Sequence, residues 1–223
     1  MPLIALIDGP LAIGSEGLQE QEWLVDGTIG ATESPAARHA TALAAAIRTN
    51  APDARLLSLV VFSGQLASSA RTIAKALDRV RDADIALCAF GMRRSDPGIA
   101  CAVAELQSRG TLLVASAPAR GDPIFPANLP GVVAVQGDAR CGPGDWTYLA
   151  LPTAEFGACP RSEHPGMTGG SSLAAAHFAG QLAARLGGAT NPGAVLAVMR
   201  RQARYIGRER RGASRDAADD VAP

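Results

Sequence analysis

The sequence has few cysteines, and none of them lies in a pattern that would build a site. Among 223 residues there are four cysteines, and no two of them form a C-x-x-C pair or a spacing typical of metal ligands. The pattern argues against a zinc centre and a C-x-x-C redox site, and we predict no cofactor and no metal. The four are Cys88, Cys101, Cys141 and Cys159.

An excess of either charge is also absent. Lys and Arg together number 21, as do Asp and Glu, so net charge does not favour nucleic acid or a membrane surface as a partner. The segment before Asp8 lacks the basic start of a secretory signal. The apolar runs are far too short to span a membrane. We therefore predict a cytoplasmic protein with reduced thiols that binds neither nucleic acid nor membranes; oligomeric state stays open.

Phosphate-binding glycine motifs are missing as well. The chain contains neither G-x-G-x-x-G nor a P-loop sequence. Their absence argues against one possible function, that of a doubly wound domain that binds a phosphate-containing ligand and does not act on peptides.

What the chain does contain is a regular alternation of short apolar runs and alanine-rich helical patterns. This alternation predicts an α/β fold, a three-layer, doubly wound and mostly parallel sheet with helices on both faces. Residues 11–38 are polar and irregular and predict a long loop region, with a short helix inside it as the alternative. The predicted strands are 3–7, 56–62, 85–90, 111–115, 132–135 and a weaker 148–151, and the predicted helices are 39–50, 69–81, 98–108, one ending at Gly187 and 192–206.

The chain shows no internal repeat and no linker. We therefore predict one domain over residues 1–207. Residues 208–223 are charged, small and nearly devoid of apolar side chains, which is typical of a disordered tail.

One stretch organises the rest, the segment GSSLAAAHFAG at residues 170–180. Glycines and serines open directly into an alanine-rich helix, and alanine lets other backbones approach closely. A serine in the first helical turn lies at the positive end of the helix dipole, where an activated hydroxyl and an oxyanion can be held together. The alternative is a serine N-cap on a core helix, since Ser is a preferred cap.

Two other polar residues lie at the ends of predicted elements. Asp8 follows the first strand, His39 opens the first long helix, and Ser172 opens the glycine-led helix. A hydroxyl, an imidazole to take its proton and a carboxylate to orient the imidazole form a catalytic triad. Taken singly, Asp8 is equally well a turn residue and His39 a capping or surface histidine. Their order Asp, His, Ser is that of subtilisin.

Four segments carry a resemblance to a known family. Residues 4–9 (IALIDG) resemble the aspartate strand of the subtilisin-like serine peptidases, the subtilases, and residues 39–44 (HATALA) resemble their H-G-T-x-V-A histidine helix. Residues 170–180 are similar to their G-T-S-M-A-x-P-H-V-A-G serine helix. Residues 125–135 (FPANLPGVVAV) resemble their Y-P-A-x-x-P-x-V-I-A-V segment.

The resemblance, over roughly residues 3–187, implies a catalytic Asp8, His39 and Ser172. The turn at residues 8–10 also resembles that of the PatA-type peptidases, intracellular subtilases that cut leader peptides from natural-product precursors. We therefore expect a peptide or a precursor protein as the substrate.

The same resemblance implies where substrate would bind. Subtilases bind an extended peptide along a strand edge, which gains backbone hydrogen bonds without a particular sequence. The alternative is that these two segments are ordinary strand ends that bind no substrate. The residues implied for one wall are Ala89, Phe90 and Gly91, and those for the opposite wall of the specificity pocket are Ala115, Ser116 and Ala117.

One departure from the family pattern weakens the expected oxyanion hole. Where subtilases read A-A-A-G-N, residues 115–119 read ASAPA, so Ala119 replaces the asparagine donor. The resemblance implies an oxyanion hole formed by the amide of Ser172 and the hydroxyl of Ser171, next to the position of Ala119. Arg120 could replace the missing donor if its side chain points inward.

Two functions from different classes follow. The first is a serine endopeptidase, slow because its oxyanion hole is depleted. The second is a subtilase-shaped pseudoenzyme that binds an extended peptide or acts as a scaffold without cutting.

Overall fold

In the computed structural model, alternating strands and helices form one mixed sheet covered on both faces. The structure describes residues 1–26, 33–162, 169–187 and 191–209, so the predicted tail lies outside it except for Arg208 and Glu209. The strands in this part are β1 (Leu3–Asp8), β2 (Leu18–Trp23), β3 (Arg55–Val60), β4 (Ile85–Cys88), β5 (Leu112–Ser116), β6 (Val133–Gly137), β7 (Trp146–Tyr148), β8 (Phe156–Ala158) and β9 (Tyr205–Ile206). The helices are α1 (Pro35–Asn50), α2 (Ala70–Arg79), α3 (Pro97–Ser108), α4 (Ser171–Leu186) and α5 (Pro192–Gln202).

The strand order in the sheet is β2-β3-β1-β4-β5-β6-β8-β7-β9. Neighbouring strands run parallel except for β7 and β8, which are antiparallel. The predicted fold class, a mostly parallel doubly wound sheet, is confirmed. The chain first builds from β1 toward β3 and then turns to β4 on the other side of β1, and the carboxyl ends at such a switch point are where α/β sheets bind ligands.

Two apolar clusters fill the two faces of the sheet. Along β1, Ile4 and Leu6 belong to the cluster under α1 and α4, whereas Ala5 and Ile7 belong to the cluster under α2 and α3. Side chains alternate between faces with a period of two. The next residue, Asp8, is therefore directed toward the face that carries α1 and α4.

The predicted loop over residues 11–38 is wrong in two places. It contains β2, a sheet-edge strand that pairs with β3, and the first turn of α1. The sequence of β2, LQEQEW, mixes exposed and half-buried positions, so it lacks the continuous apolar run of the buried strands.

The carboxyl-terminal part of the sheet also differs from expectation. The predicted strand at 148–151 is instead β7, displaced toward Trp146, and β8 was not predicted. The last helix ends at Gln202, because β9 then pairs with β7. These strands have only two or three residues, too few to produce a periodic signal.

Candidate active site

Asp8 and His39 form a hydrogen-bonded pair at the carboxyl end of β1. The Asp8 side chain is fully buried, and that of His39 is 14% exposed. His39 Nδ1 lies 2.8 Å from Asp8 Oδ1, and the same oxygen accepts a 2.8 Å bond from the backbone N–H of Gly9. Because a carboxylate accepts, Nδ1 carries the proton, and Nε2 of the neutral ring remains the acceptor.

The start of α1 places His39 over this carboxylate. Ser34 caps the helix by accepting from the N–H of Ala37 at 3.1 Å, and Pro35 occupies its first turn. The helix therefore begins before His39, and the prediction that His39 opens it is wrong. Gly9 packs so closely on Ala36 that a Cβ at position 9 would overlap the Ala36 carbonyl.

The pKa of His39 is raised above its ordinary value of about 6.5. Burial by itself disfavours the imidazolium and lowers the pKa. The hydrogen bond that His39 donates to Asp8 and the negative charge of Asp8 act in the opposite direction and together outweigh burial. The site thus stabilises a positively charged His39.

Ser172 occupies the first turn of α4. The N-cap of this helix is Gly170, which has no side chain that could accept from the first amides, so the interpretation of Ser172 as a capping serine is wrong. The other helices of the described chain are capped by the side chains of Ser34, Ser69, Asp96 and Asn191. Within the described residues, the first amides of α4 thus lack the N-cap side-chain acceptor that the other helices have.

The glycines before α4 allow its first turn to pack closely against the sheet. The N–H of Gly170 donates to the carbonyl of Pro160 at 2.8 Å, and a Cβ on Gly169 would overlap that same carbonyl. Pro160 follows β8 by two residues. This close approach explains the glycine at position 169, where a side chain would push α4 away from the sheet.

The Ser172 hydroxyl donates a 2.7 Å hydrogen bond to the carbonyl oxygen of Ala89. Ala89 directly follows β4, and in the parallel register Cys88 lies opposite Ile7, so Ala89 and Asp8 follow adjacent positions of neighbouring strands. Ser172 is thereby held next to the strand that ends in Asp8. Its single proton goes to Ala89 in this structure and not to His39.

The segment after β4 is packed against neighbouring segments. Phe90 packs edge-on against Phe62 with ring centroids 5.5 Å apart. The end of the Ile124 side chain fills the space that a Cβ on Gly91 would take. The segment is joined to the one after β5 by hydrogen bonds of 2.8 and 2.9 Å between the backbones of Met92 and Phe125.

The predicted opposite wall is more buried. Ala115 and Ser116 lie within β5 between β4 and β6, and the N–H of Ala117 donates to Val135 at 2.8 Å. The three side chains of residues 115–117 are at most 3% exposed. Their role in binding stays a prediction.

Ala119 and Arg120 are both exposed. Arg120 lines a cavity of about 410 Å³ together with Arg93. Arg93 was not among the residues predicted from the sequence. The basic pair at positions 93 and 94 was visible directly after a predicted strand, but the sequence does not tell which of the two faces the cavity.

Two other residues of this region with reactive side-chain types are buried. Cys159 is 0% exposed, so its thiol is shielded from solvent. His177 is 2% exposed on α4, while His164 lies outside the described residues. Within the described ranges, no cluster of three or more metal-binding side chains occurs, and no helix there has the length and apolarity needed to cross a membrane.

Solved structures with the same architecture exist. The protease domain of PatA, solved as an S218A mutant, superposes with a TM-score of 0.65 at 21% sequence identity, over 86% of this chain and 83% of that one. A cold-adapted subtilisin-like serine proteinase gives a TM-score of 0.68 at 16% identity, over 89% and 81% of the two chains. The chain has a subtilisin-like fold.

A third structure, that of the prenylagaramide maturation protease PagA, superposes on this subtilisin-like chain with a TM-score of 0.60. Its sequence identity is 19%, over 83% of this chain and 75% of that one. No protein-family model matches the sequence, and no curated protein sequence matches it. At these identities the likeness concerns the fold.

Proposed function

We propose that this chain is a serine endopeptidase of the subtilase type. Ser172 is the nucleophile, His39 is the general base and then the general acid, and Asp8 orients His39 and stabilises its charge. The observation that carries the proposal is the 2.8 Å bond between Asp8 and His39 Nδ1, because it directs the basic Nε2 away from the carboxylate.

The reaction begins when the Ser172 hydroxyl turns from Ala89 to His39. Catalytic hydrogen bonds often form only in the substrate complex. As Ser172 Oγ attacks the peptide carbonyl carbon, its proton passes to His39 Nε2. His39 then protonates the leaving amine, and the acyl group stays on Ser172 as an acyl-enzyme. Water hydrolyses this acyl-enzyme, with His39 again taking up and returning the proton. The raised pKa of His39 fits its role as the proton acceptor.

The oxyanion is held by the amino end of α4. The Ser172 amide lies in the first turn of a helix without a side-chain cap, and the Ser171 hydroxyl is adjacent. Ala119 supplies no side-chain donor, and the loss of one such donor costs about 10²–10³ in kcat. Because typical total rate enhancements are about 10⁶ or more, the site still supports a slow, dedicated peptidase.

The substrate is one peptide or a narrow set, such as a precursor from which a leader is removed. This is supported by the likeness to a protein named as a maturation protease. The four cysteines are free thiols, which supports work in a reducing cytoplasm.

Labelling with a fluorophosphonate probe tests the nucleophile. We expect an adduct on folded wild-type protein and on Ser171→Ala, and none on Ser172→Ala. Because the two serines are neighbours in one helical turn, comparing the two variants distinguishes labelling of the nucleophile from unspecific labelling of a nearby hydroxyl. Absence of a Ser172-dependent adduct on folded protein overturns the proposal.

The alternative is a peptide-binding pseudoenzyme. Two observations favour it, the missing donor at Ala119 and the Ser172 proton committed to Ala89. It predicts that Ser172→Ala leaves partner binding and biological output intact. Loss of output with retained binding would contradict it.

A further inference from the structure

Two arginines line one cavity next to the proposed active site. Arg93 comes from the segment after β4 and Arg120 from the segment after β5, and both line a cavity of about 410 Å³. Neither guanidinium forms an ion pair with a carboxylate within the part of the chain that the structure describes. Among the described residues that line the cavity, Asp122 is the one carboxylate, so two guanidinium charges face one negative charge there.

The cavity is within reach of the bond that Ser172 would attack. Ser172 Oγ lies 2.7 Å from the Ala89 carbonyl, and Gly91 follows Ala89 by two residues, which span at most about 7 Å. Ile124 contacts Gly91 and also lines the cavity. The side chain of a peptide residue bound beside Ala89 therefore has this cavity as its neighbour.

The chemistry of the lining favours a carboxylate. Guanidinium groups present several N–H donors in a plane that matches the two oxygens of a carboxylate. A glutamine side chain has the same length as that of glutamate but carries no charge to interact with the two guanidinium groups. A peptide along residues 89–91 would gain backbone bonds from the edge and selectivity from the cavity.

We propose that Arg93 and Arg120 select an acidic side chain on the residue whose carbonyl Ser172 attacks. This inference rests on the proposed function and adds a substrate preference to it. Because both arginines are near the surface, the preference should weaken as salt is raised.

The test compares two fluorogenic peptide pools that differ only in Glu or Gln before the reporter amide, with mixed residues at the preceding positions. We expect kcat/KM for the Glu pool to be about tenfold higher, as for charge-assisted hydrogen bonds. The double variant Arg93→Gln, Arg120→Gln should bring the ratio to about one. Arg94→Gln is the matched control, since Arg94 is exposed and does not line the cavity, and it should keep the ratio.

A binding arm separates this inference from the proposed function. Immobilised Ser172→Ala protein is incubated with an equimolar mixture of Glu and Gln peptides, and the retained ratio is measured by mass spectrometry. Failure of the wild type to cut any peptide counts against the peptidase, while Glu enrichment that the double variant loses still supports the arginine site. Equal retention of the two peptides, or equal cleavage of the two pools, overturns the inference.

Discussion

Gly180 on α4 lies directly against the backbone carbonyl of Ile47 on α1, so that a Cβ at position 180 would overlap the oxygen. These are the two helices that carry Ser172 and His39. The closeness of the helices at this crossing therefore sets how near the proposed nucleophile and its base can come. The glycine is needed for the close approach and not for an unusual backbone conformation.

Gly180→Ala should force α1 and α4 apart. Alanine favours a helix over glycine by about 1 kcal/mol, but a backbone carbonyl cannot move aside as a side chain can, so overpacking should dominate. We expect the free energy of unfolding to fall by about 1–3 kcal/mol, measured by urea denaturation, and labelling at Ser172 to slow. Gly187→Ala is the control at the end of the same helix, because nothing lies within 4 Å of its new Cβ; equal effects of the two changes would contradict this account.

The pH dependence of kcat/KM should follow His39. Its pKa is raised because the hydrogen bond and charge of Asp8 outweigh burial, and the base must be neutral to act. The acid limb should therefore have its midpoint above pH 6.5. Asp8→Asn should move the midpoint to lower pH and reduce kcat by about 10⁴, as expected when the orienting carboxylate is lost; an unmoved midpoint would show that another group controls the limb.

The same pair should make stability depend on pH. In the unfolded chain the pKa of His39 is about 6.5, and folding raises this pKa. Its stabilising contribution is therefore fully present below that pH and is lost as pH rises through the folded pKa. His39→Gln should cost more free energy of unfolding at pH 5.5 than at pH 8.5, whereas the same cost at both values would argue against the ion pair.

Restoring the missing oxyanion donor should speed the reaction. Ala119 is exposed, so the position has room for a longer side chain. Ala119→Asn adds an N–H donor, and we expect kcat to rise about 10- to 100-fold, somewhat less than the effect of one donor in an optimised site. Ala119→Asp has the same shape without the donor and should not accelerate the reaction; equal rates for the two would show that side-chain shape and not hydrogen bonding matters.

Thiol alkylation should distinguish Cys101 from the other cysteines. Cys101 is exposed, whereas Cys88, Cys141 and Cys159 are buried. Burial, followed by the charge of Asp8, raises the pKa of Cys88, and burial raises the pKa of Cys141 to about 11, so their thiolates are scarce at neutral pH. Intact mass after brief iodoacetamide treatment should show one adduct on folded protein and four after denaturation, and more than one on folded protein would contradict this packing.

The sheet and its main helices were predictable because their signals are local. The strands near Ile4, Leu56 and Ile85 are continuous apolar runs buried on both faces, and runs of this kind indicate parallel strands. The edge strand β2, with polar residues at half-buried positions, and the short strands β7 to β9 owe their pairing to distant partners. No local pattern specifies such strands.

Within the candidate site, the residue types were visible in the sequence but not their arrangement. Asp8 at the end of a strand and Ser172 at the start of a helix follow from local patterns. That His39 Nδ1 contacts Asp8 depends on α1 starting at Ser34 and Pro35. That the Ser172 proton goes to Ala89 depends on the packing of α4 against β4. That Ala89 lies beside Asp8 depends on the register of β1 and β4.

Local patterns were enough to predict the central buried strands, the long helices and the residues whose types suit peptide chemistry, since short-range periodicity and side-chain chemistry suffice for these. The crossing of α1 and α4 at Gly180, the glycine N-cap of α4 and the place of Arg93 and Arg120 on one cavity followed only from the folded chain. Each of these depends on close packing between segments far apart in the chain, where one added carbon or one change of register would move the groups out of contact.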